Sequence, residues 1–160
     1  MRFENGNDEM TWGPDAELTK LGEDQARSVN SEWRKELQCS PPIPKPSLFY
    51  CSPFQRAAKT MTVTFDGIFD LENNSVIIRE KLRDKLDGST PNKRLDMKVM
   101  KGQHPKWTFE KGASEKDVWW SGDKEETLEE CKERAKEIVD EIFELPDRCK
   151  CSEMRRGTVC

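Results

Sequence analysis

Ser47-Leu48-Phe49-Tyr50-Cys51-Ser52-Pro53-Phe54-Gln55-Arg56-Ala57 is the stretch that decides the fold. Its first five residues form an uninterrupted run of strand length, the pattern of a strand covered on both faces and hence of a parallel sheet between helices. Ser52-Pro53 ends the run and opens a helix, because proline fits a first turn and a serine hydroxyl can cap one. Residues 54–65 continue as that helix, against the weak preference of Thr60, Thr62, Val63 and Thr64 for extended backbone. Ser75-Val76-Ile77-Ile78 is a second short buried strand. Upstream, Ala26, Val29, Trp33 and Leu37 recur at steps of three and four through 18–37, an amphipathic helix with Thr19 as its N-cap. Pro41, Pro42, Pro44 and Pro46 stop it by removing donors and forcing extended geometry. Helix, strand, helix, strand is the order of an α/β layered fold, with a parallel-type central sheet flanked by helices.

Downstream the pattern changes. Residues 86–124 carry no period and mix Gly, Pro, Asp and Lys with Trp107, Trp119 and Trp120, which reads as a long insertion or lid, at least partly packed through its tryptophans. Within 125–143, Leu128, Cys131, Ala135, Ile138 and Ile142 repeat at helical spacing and predict the strongest helix of the chain, ended by Leu145-Pro146. The expected organisation is a single domain over 1–146 and a poorly ordered tail over 147–160.

Composition narrows the functional classes. The 160 residues carry 27 basic and 31 acidic side chains, a net charge of -4, with both signs interleaved. The broad basic face that nucleic acid requires is missing, so no nucleic-acid partner is expected. No stretch approaches the roughly 20 apolar residues needed to span a bilayer, and Met1-Arg2-Phe3-Glu4-Asn5-Gly6 lacks the apolar core of an export signal. A cytoplasmic protein with six reduced cysteines and no membrane partner is the corresponding expectation. Cys149, Cys151 and Cys160 do not match a standard zinc spacing, so neither metal nor cofactor is expected. Leu, Ile, Val and Phe number 30 of 160, which makes the core lean and low stability the expectation.

Three short stretches carry a resemblance. Leu18-Thr19-Lys20-Leu21-Gly22-Glu23-Asp24-Gln25-Ala26 reads L-T-x-L-G-x-x-Q-A, Ser52-Pro53-Phe54-Gln55-Arg56-Ala57 reads S-P-x-x-R-A after a strand, and Leu82-Arg83-Asp84 reads L-R-acid after the next strand. In this order and spacing the chain resembles the histidine phosphatase superfamily, in its phosphoglycerate-mutase-like branch. Thr11-Trp12-Gly13-Pro14-Asp15 and Phe65-Asp66-Gly67-Ile68 narrow the resemblance to fungal members, over residues 11–143. It implies a layered α/β fold and phosphomonoester hydrolysis through a phosphohistidine.

The residues support a phosphate site on their own terms. Arg56 lies one turn into a helix that follows a buried strand, so its forked guanidinium can reach the carboxyl edge of a parallel sheet, where ligands of open α/β folds bind. The resemblance gives Arg56 the role of phosphate-binding residue. It gives Asp84 the position of the general acid, since an alkoxide leaves poorly without a proton. Asp84 replaces the glutamate of many relatives, and Glu80 and Asp87 stand nearby as competing acids.

The resemblance also defines what is missing. The family's nucleophile is a histidine in an R-H-G motif ahead of the L-T-x-x-G helix, with a second histidine after a strand near the C-terminus. This chain has neither. Its single histidine, His104, precedes Pro105 in the aperiodic segment and reads as a surface residue. The two absent strands are neighbours in the family's sheet, so an incomplete sheet is expected, with open edges through which the chain self-associates. A fragment, a split or misread gene product, or a degenerate relative would all look like this, and an inactive protein follows. The alternatives are a non-catalytic module that weakly binds a phosphorylated small molecule or a protein, and a purely structural role for the charged helices.

Overall fold

The structure is a computed structural model that describes residues 13–73 and 75–144. The tail with Cys149, Cys151 and Cys160, expected to be poorly ordered, lies outside the described residues. The chain divides into two compact units between Glu126 and Thr127.

In the first unit the elements run α1 (Lys20–Glu36), β1 (Leu48–Cys51), α2 (Gln55–Phe65), β2 (Ser75–Ile78), α3 (Met97–Gln103) and β3 (Thr108–Phe109), with 3-10 turns at Glu80–Leu82 and Thr90–Asn92. The sheet is α/β in type: three parallel strands in the order β1-β2-β3. Phe49 stands opposite Val76 and Cys51 opposite Ile78, while Ile78 meets Phe109 across the second ladder.

α1 begins where Thr19 Oγ1 accepts from the Gly22 N–H at 3.1 Å, the expected cap. Its inner face differs from the expected stripe. Val29 is 46% exposed, and Asn30 takes the adjoining position against α2, donating from Nδ2 to the carbonyls of Thr64 (2.8 Å) and Asp66 (3.0 Å). Arg34 donates to the same Asp66 carbonyl at 2.7 Å. A polar pair on α1 thereby satisfies carbonyls at the end of α2 that its own helix leaves open. Below them Trp33 meets Phe65 and Phe69 edge-on, with centroids 5.5 and 5.8 Å apart.

The core lies on one face of the sheet. Phe49, Cys51, Val76 and Ile78 are buried with Ala58, Leu71, Met100 and Trp107. Leu48, Tyr50 and Ile77, which point the other way, are only partly buried. The expectation of strands covered on both faces is therefore corrected: the alternating burial is that of a half-covered sheet. The segment 86–124 also has structure that its sequence hid. α3 brings Met97 and Met100 into the core, Trp107 is 4% exposed, and β3 extends the sheet.

The second unit is built on α4 (Leu128–Glu144). Thr127 Oγ1 accepts from the Glu130 N–H while Glu130 Oε2 accepts from the Thr127 N–H at 2.8 Å, a reciprocal capping box. Arg134 and Ile138 are its buried residues, whereas Leu128, expected on the inner stripe, is 61% exposed.

Candidate functional site

The site residues follow the carboxyl ends of β1 and β2, the edge where open parallel sheets bind ligands. Arg56, in the first turn of α2, donates from Nη2 to Asp84 Oδ2 at 2.7 Å and to Asn92 Oδ1 at 2.8 Å, and from Nη1 to the Pro91 carbonyl at 3.1 Å. Its guanidinium carbon lies 4.1 Å from the centre of the Phe54 ring, a cation–π contact with a fully buried phenyl. The structure thus brings together the two residues that the sequence singled out. The Arg56 side chain is 22% exposed and that of Asp84 68%, so the pair opens to solvent at its acidic end.

The other two acids near Asp84 are placed differently. Glu80 is 2% exposed and spends both oxygens on arginines: Arg83 Nε at 2.7 Å and Arg94 Nε at 2.8 Å. Asp117 closes the cluster, accepting from Arg83 Nη1 and from the Arg94 N–H, each at 2.9 Å. Burial acts to raise the Asp117 pKa, but the Arg83 contact and the surrounding amides outweigh it and hold this carboxyl below its ordinary value. Arg94 also donates to the carbonyls of Leu95, Ser114, Glu115 and Lys116. The cluster is paired throughout, as buried charges must be to avoid several kcal/mol of desolvation cost each. Asp87 is used locally. Its Oδ1 accepts from Ser89 N–H, Ser89 Oγ and Asn92 Nδ2, which fixes the Asn92 amide with its oxygen toward Arg56. Of the three acids only Asp84 combines exposure with contact to Arg56.

Asp15 is the residue that sequence reasoning missed. It is 3% exposed, adopts φ 55°, and reaches forty residues along the chain to accept the Gln55 N–H at 2.9 Å. Its second oxygen accepts from the Leu95 N–H at 3.4 Å. Burial pushes its pKa up, opposed by these amides and by the charges of Arg56 and Arg83. Asp15 rather than Ser52 therefore caps α2. The Ser52 hydroxyl is buried without a hydrogen-bond partner among the described residues, and Phe54 occupies the N-cap position. No local pattern could have shown a cap supplied from that distance.

His104 is not the surface residue expected. It ends α3, stacks on Trp107 with centroids 3.9 Å apart and planes at 15°, and lies 3.7 Å from Glu72 through Nδ1. Its side chain is only 16% exposed, and burial lowers its pKa against the opposing pull of Glu72. Among the described residues no hydrogen bond or ion pair joins it to Arg56 or Asp84. A cleft of about 380 Å³ between Glu17, Glu23, Gln55, Lys59 and His104 passes beside the site without including either residue. No group of three or more His, Cys, Asp or Glu side chains among the described residues could hold a metal ion.

A model of the histidine phosphatase superfamily (branch 1) matches residues 3–149. The chain belongs to this superfamily. It is 30% identical over 145 residues to Phosphomutase-like protein 3 of Candida albicans, covering 90% of this chain and 44% of that protein. It is 29% identical over 141 residues to a probable phosphoglycerate mutase of Arthroderma benhamiae, covering 87% of this chain and 41% of that protein. The chain thus spans less than half the length of each relative. No solved structure shows significant similarity to it. No helix among its described residues is long and apolar enough to cross a membrane.

Proposed function

We propose that the Arg56 site binds the phosphoryl group of a small phosphate ester and that this chain by itself does not complete phosphoryl transfer. The observation that carries the reading is the Arg56 fork, fixed by Pro91, Asn92 and Phe54 and turned toward an exposed carboxylate. A guanidinium held this way matches a phosphate oxygen pair bidentately. Asp84 occupies part of that edge in the resting arrangement, and an incoming phosphate displaces it from Arg56 while leaving it close enough to act as proton donor to the leaving oxygen. Family membership and the relatives' phosphomutase names support the substrate class. The transfer step itself needs a nucleophile at phosphorus, and the one imidazole of the sequence is stacked on Trp107 beside Glu72.

The test follows the amide signals of residues 52–57 while inorganic phosphate or vanadate is titrated into the protein. Wild type shifts these signals, and binding weakens with salt. Arg56→Lys keeps the charge but loses affinity with the fork, and Arg56→Ala loses most of it. Asp84→Asn removes the internal competitor, and since an exposed ion pair is worth about 0.2–1 kcal/mol, binding tightens by up to about fivefold. Wild type and Arg56→Ala responding alike would overturn the binding site. Turnover of p-nitrophenyl phosphate by the purified chain would overturn the second half of the proposal.

A further inference from the structure

Asp15 is the one non-glycine residue with a positive φ among the described residues. Backbone of that kind persists where surrounding contacts over-determine it, and such residues gather at functional sites. The contacts of Asp15 account for its placement. Its Oδ1 accepts the N–H of Gln55, the residue that opens α2 and precedes Arg56. Its Oδ2 accepts the N–H of Leu95, eighty residues along the chain. Gln55 returns a hydrogen bond from Nε2 to the Asp15 carbonyl at 3.4 Å, and Gln103 Nε2 donates to the Gln55 side-chain oxygen at 3.0 Å. One buried carboxylate thus joins the start of the Arg56 helix to the segment that ends at Leu95. That segment supplies two of the acceptors that fix the Arg56 fork, the Pro91 carbonyl and Asn92 Oδ1. It is itself anchored, because Arg94 beside Leu95 is buried and donates to Glu80 and to the carbonyls of Ser114 and Lys116.

We propose that Asp15 is a positioning residue of the phosphate site: by tying α2 to residues 91–95 it sets the angle at which the Arg56 fork meets a phosphate. The inference rests on the reading that Arg56 binds phosphate. A fork needs such an angle where a point charge does not, since two N–H groups must point along two oxygens at once. The Arg56 side chain bridges from α2 to the 91–92 turn, so a shift of the helix start against that turn rotates the guanidinium plane. The charge of Asp15 works in the opposite direction. Its carboxylate lies in the field of Arg56 and Arg83, and its negative charge opposes an incoming anion. Removing the charge while breaking the tie therefore sets two effects of opposite sign against each other, and the sign of the change in affinity tells which one reaches the site.

Inorganic phosphate is titrated into the full chain and into its Asp15→Asn and Asp15→Gly variants, each checked for a native amide spectrum. Both replacements tolerate the left-handed backbone. Asparagine keeps an oxygen for the Gln55 N–H but turns its own donors to the Leu95 N–H, which breaks one arm of the tie, and glycine removes both arms. Asp15→Asn should bind phosphate roughly two- to tenfold more weakly, the range a single hydrogen bond contributes, and Asp15→Gly more weakly still. In an Arg56→Lys background both replacements should cost little, because a rotatable ammonium needs no set plane. In wild type, phosphate should slow exchange of the Leu95 amide, since coupling between the site and the tie is reciprocal. This last measurement needs no variant and decides the matter where a replacement fails to fold. Unchanged or tighter binding by Asp15→Asn overturns the proposal, and so does an equal loss in the Arg56 and Arg56→Lys backgrounds, which would mark general loosening. A Leu95 exchange rate indifferent to phosphate overturns it as well. Failure of the underlying reading looks different: wild type and Arg56→Ala then respond to phosphate alike, and both conclusions fall together.

Discussion

His104 is worth more as a reporter of folding than as a nucleophile. Its ring is packed face to face on Trp107, and burial lowers its pKa below the ordinary 6.5. The unfolded chain therefore takes up a proton first as the solution is acidified, and protonation favours the unfolded state. Stability contributed by the neutral stacked ring is fully present above pH 6.5 and is lost as pH falls from there through the depressed folded value. His104→Phe keeps an aromatic ring against Trp107 and removes the proton site. Thermal melts at a series of pH values should show wild type losing stability relative to His104→Phe through this window. Parallel curves would mean that the ring is solvated and that its stacking contributes nothing. Sequence alone misplaced this residue because Lys101-Gly102-Gln103-His104-Pro105 looks like loop, and the tryptophan that covers the ring is not on a shared helical face. Arg56 was legible for the opposite reason: it lies one turn past a strand whose apolar run is plain, so its place at the sheet edge follows from the chain direction, whereas Asp84 was marked out from Glu80 and Asp87 only by the family resemblance.

At the scale of the element, the end of α2 shows how a short helix is held. Gly67, two residues past the helix, has φ 62°, and the Ile68 and Phe69 N–H groups return to the Phe65 carbonyl at 2.9 and 3.1 Å. A Cβ at Gly67 would come within 2.9 Å of Arg34 Nη2, the same nitrogen that donates to Asp66. Gly67→Ala should cost about 1–2 kcal/mol for the left-handed backbone, and more because Arg34 must leave its carbonyl. In an Arg34→Ala background the second contribution is already gone, so denaturant titrations should find a smaller cost for Gly67→Ala there. Equal costs in both backgrounds would show that Arg34 moves aside freely. Asp66-Gly67 after a helical run is a turn signal, although in the sequence analysis it served only the family resemblance. The polar seam from Asn30 and Arg34 did not show, because apolar periodicity chose Val29, one position away on the helix. The same limit explains α3 and β3: seven residues are two turns and two residues are no pattern, so both were hidden in the aperiodic segment until Met100, Trp107 and Phe109 joined the core. For α4 the better signal was present and unused, since Thr127-x-x-Glu130 is a capping box that sets the helix start at Leu128, the first apolar residue of the repeat, three residues inside the segment 125–143.

For the whole molecule the lean composition has a structural counterpart: a core gathered on one face of a three-stranded sheet, with Cys51 near its centre. Cys51 is 3% exposed, and burial pushes its thiol pKa up to about 12, because a thiolate there would lose its water and gain no counter-charge. Thiol reagents attack the thiolate, so Cys51 reacts only when the core opens. Cys39 is exposed in the turn after α1 and reacts in the folded state. Labelling the native protein at mildly alkaline pH, with the modified cysteines located by mass spectrometry, therefore separates local from global motion. If opening of the core costs even the low end of the usual 5–15 kcal/mol, Cys51 should label on the order of 10³-fold more slowly than Cys39. Low concentrations of urea should accelerate Cys51 steeply and Cys39 hardly at all, because only the first requires exposure of buried surface. Comparable rates at the two thiols in the absence of urea would mean that the half-covered sheet opens without unfolding, and that the core around Phe49 and Ile78 is not a cooperative unit.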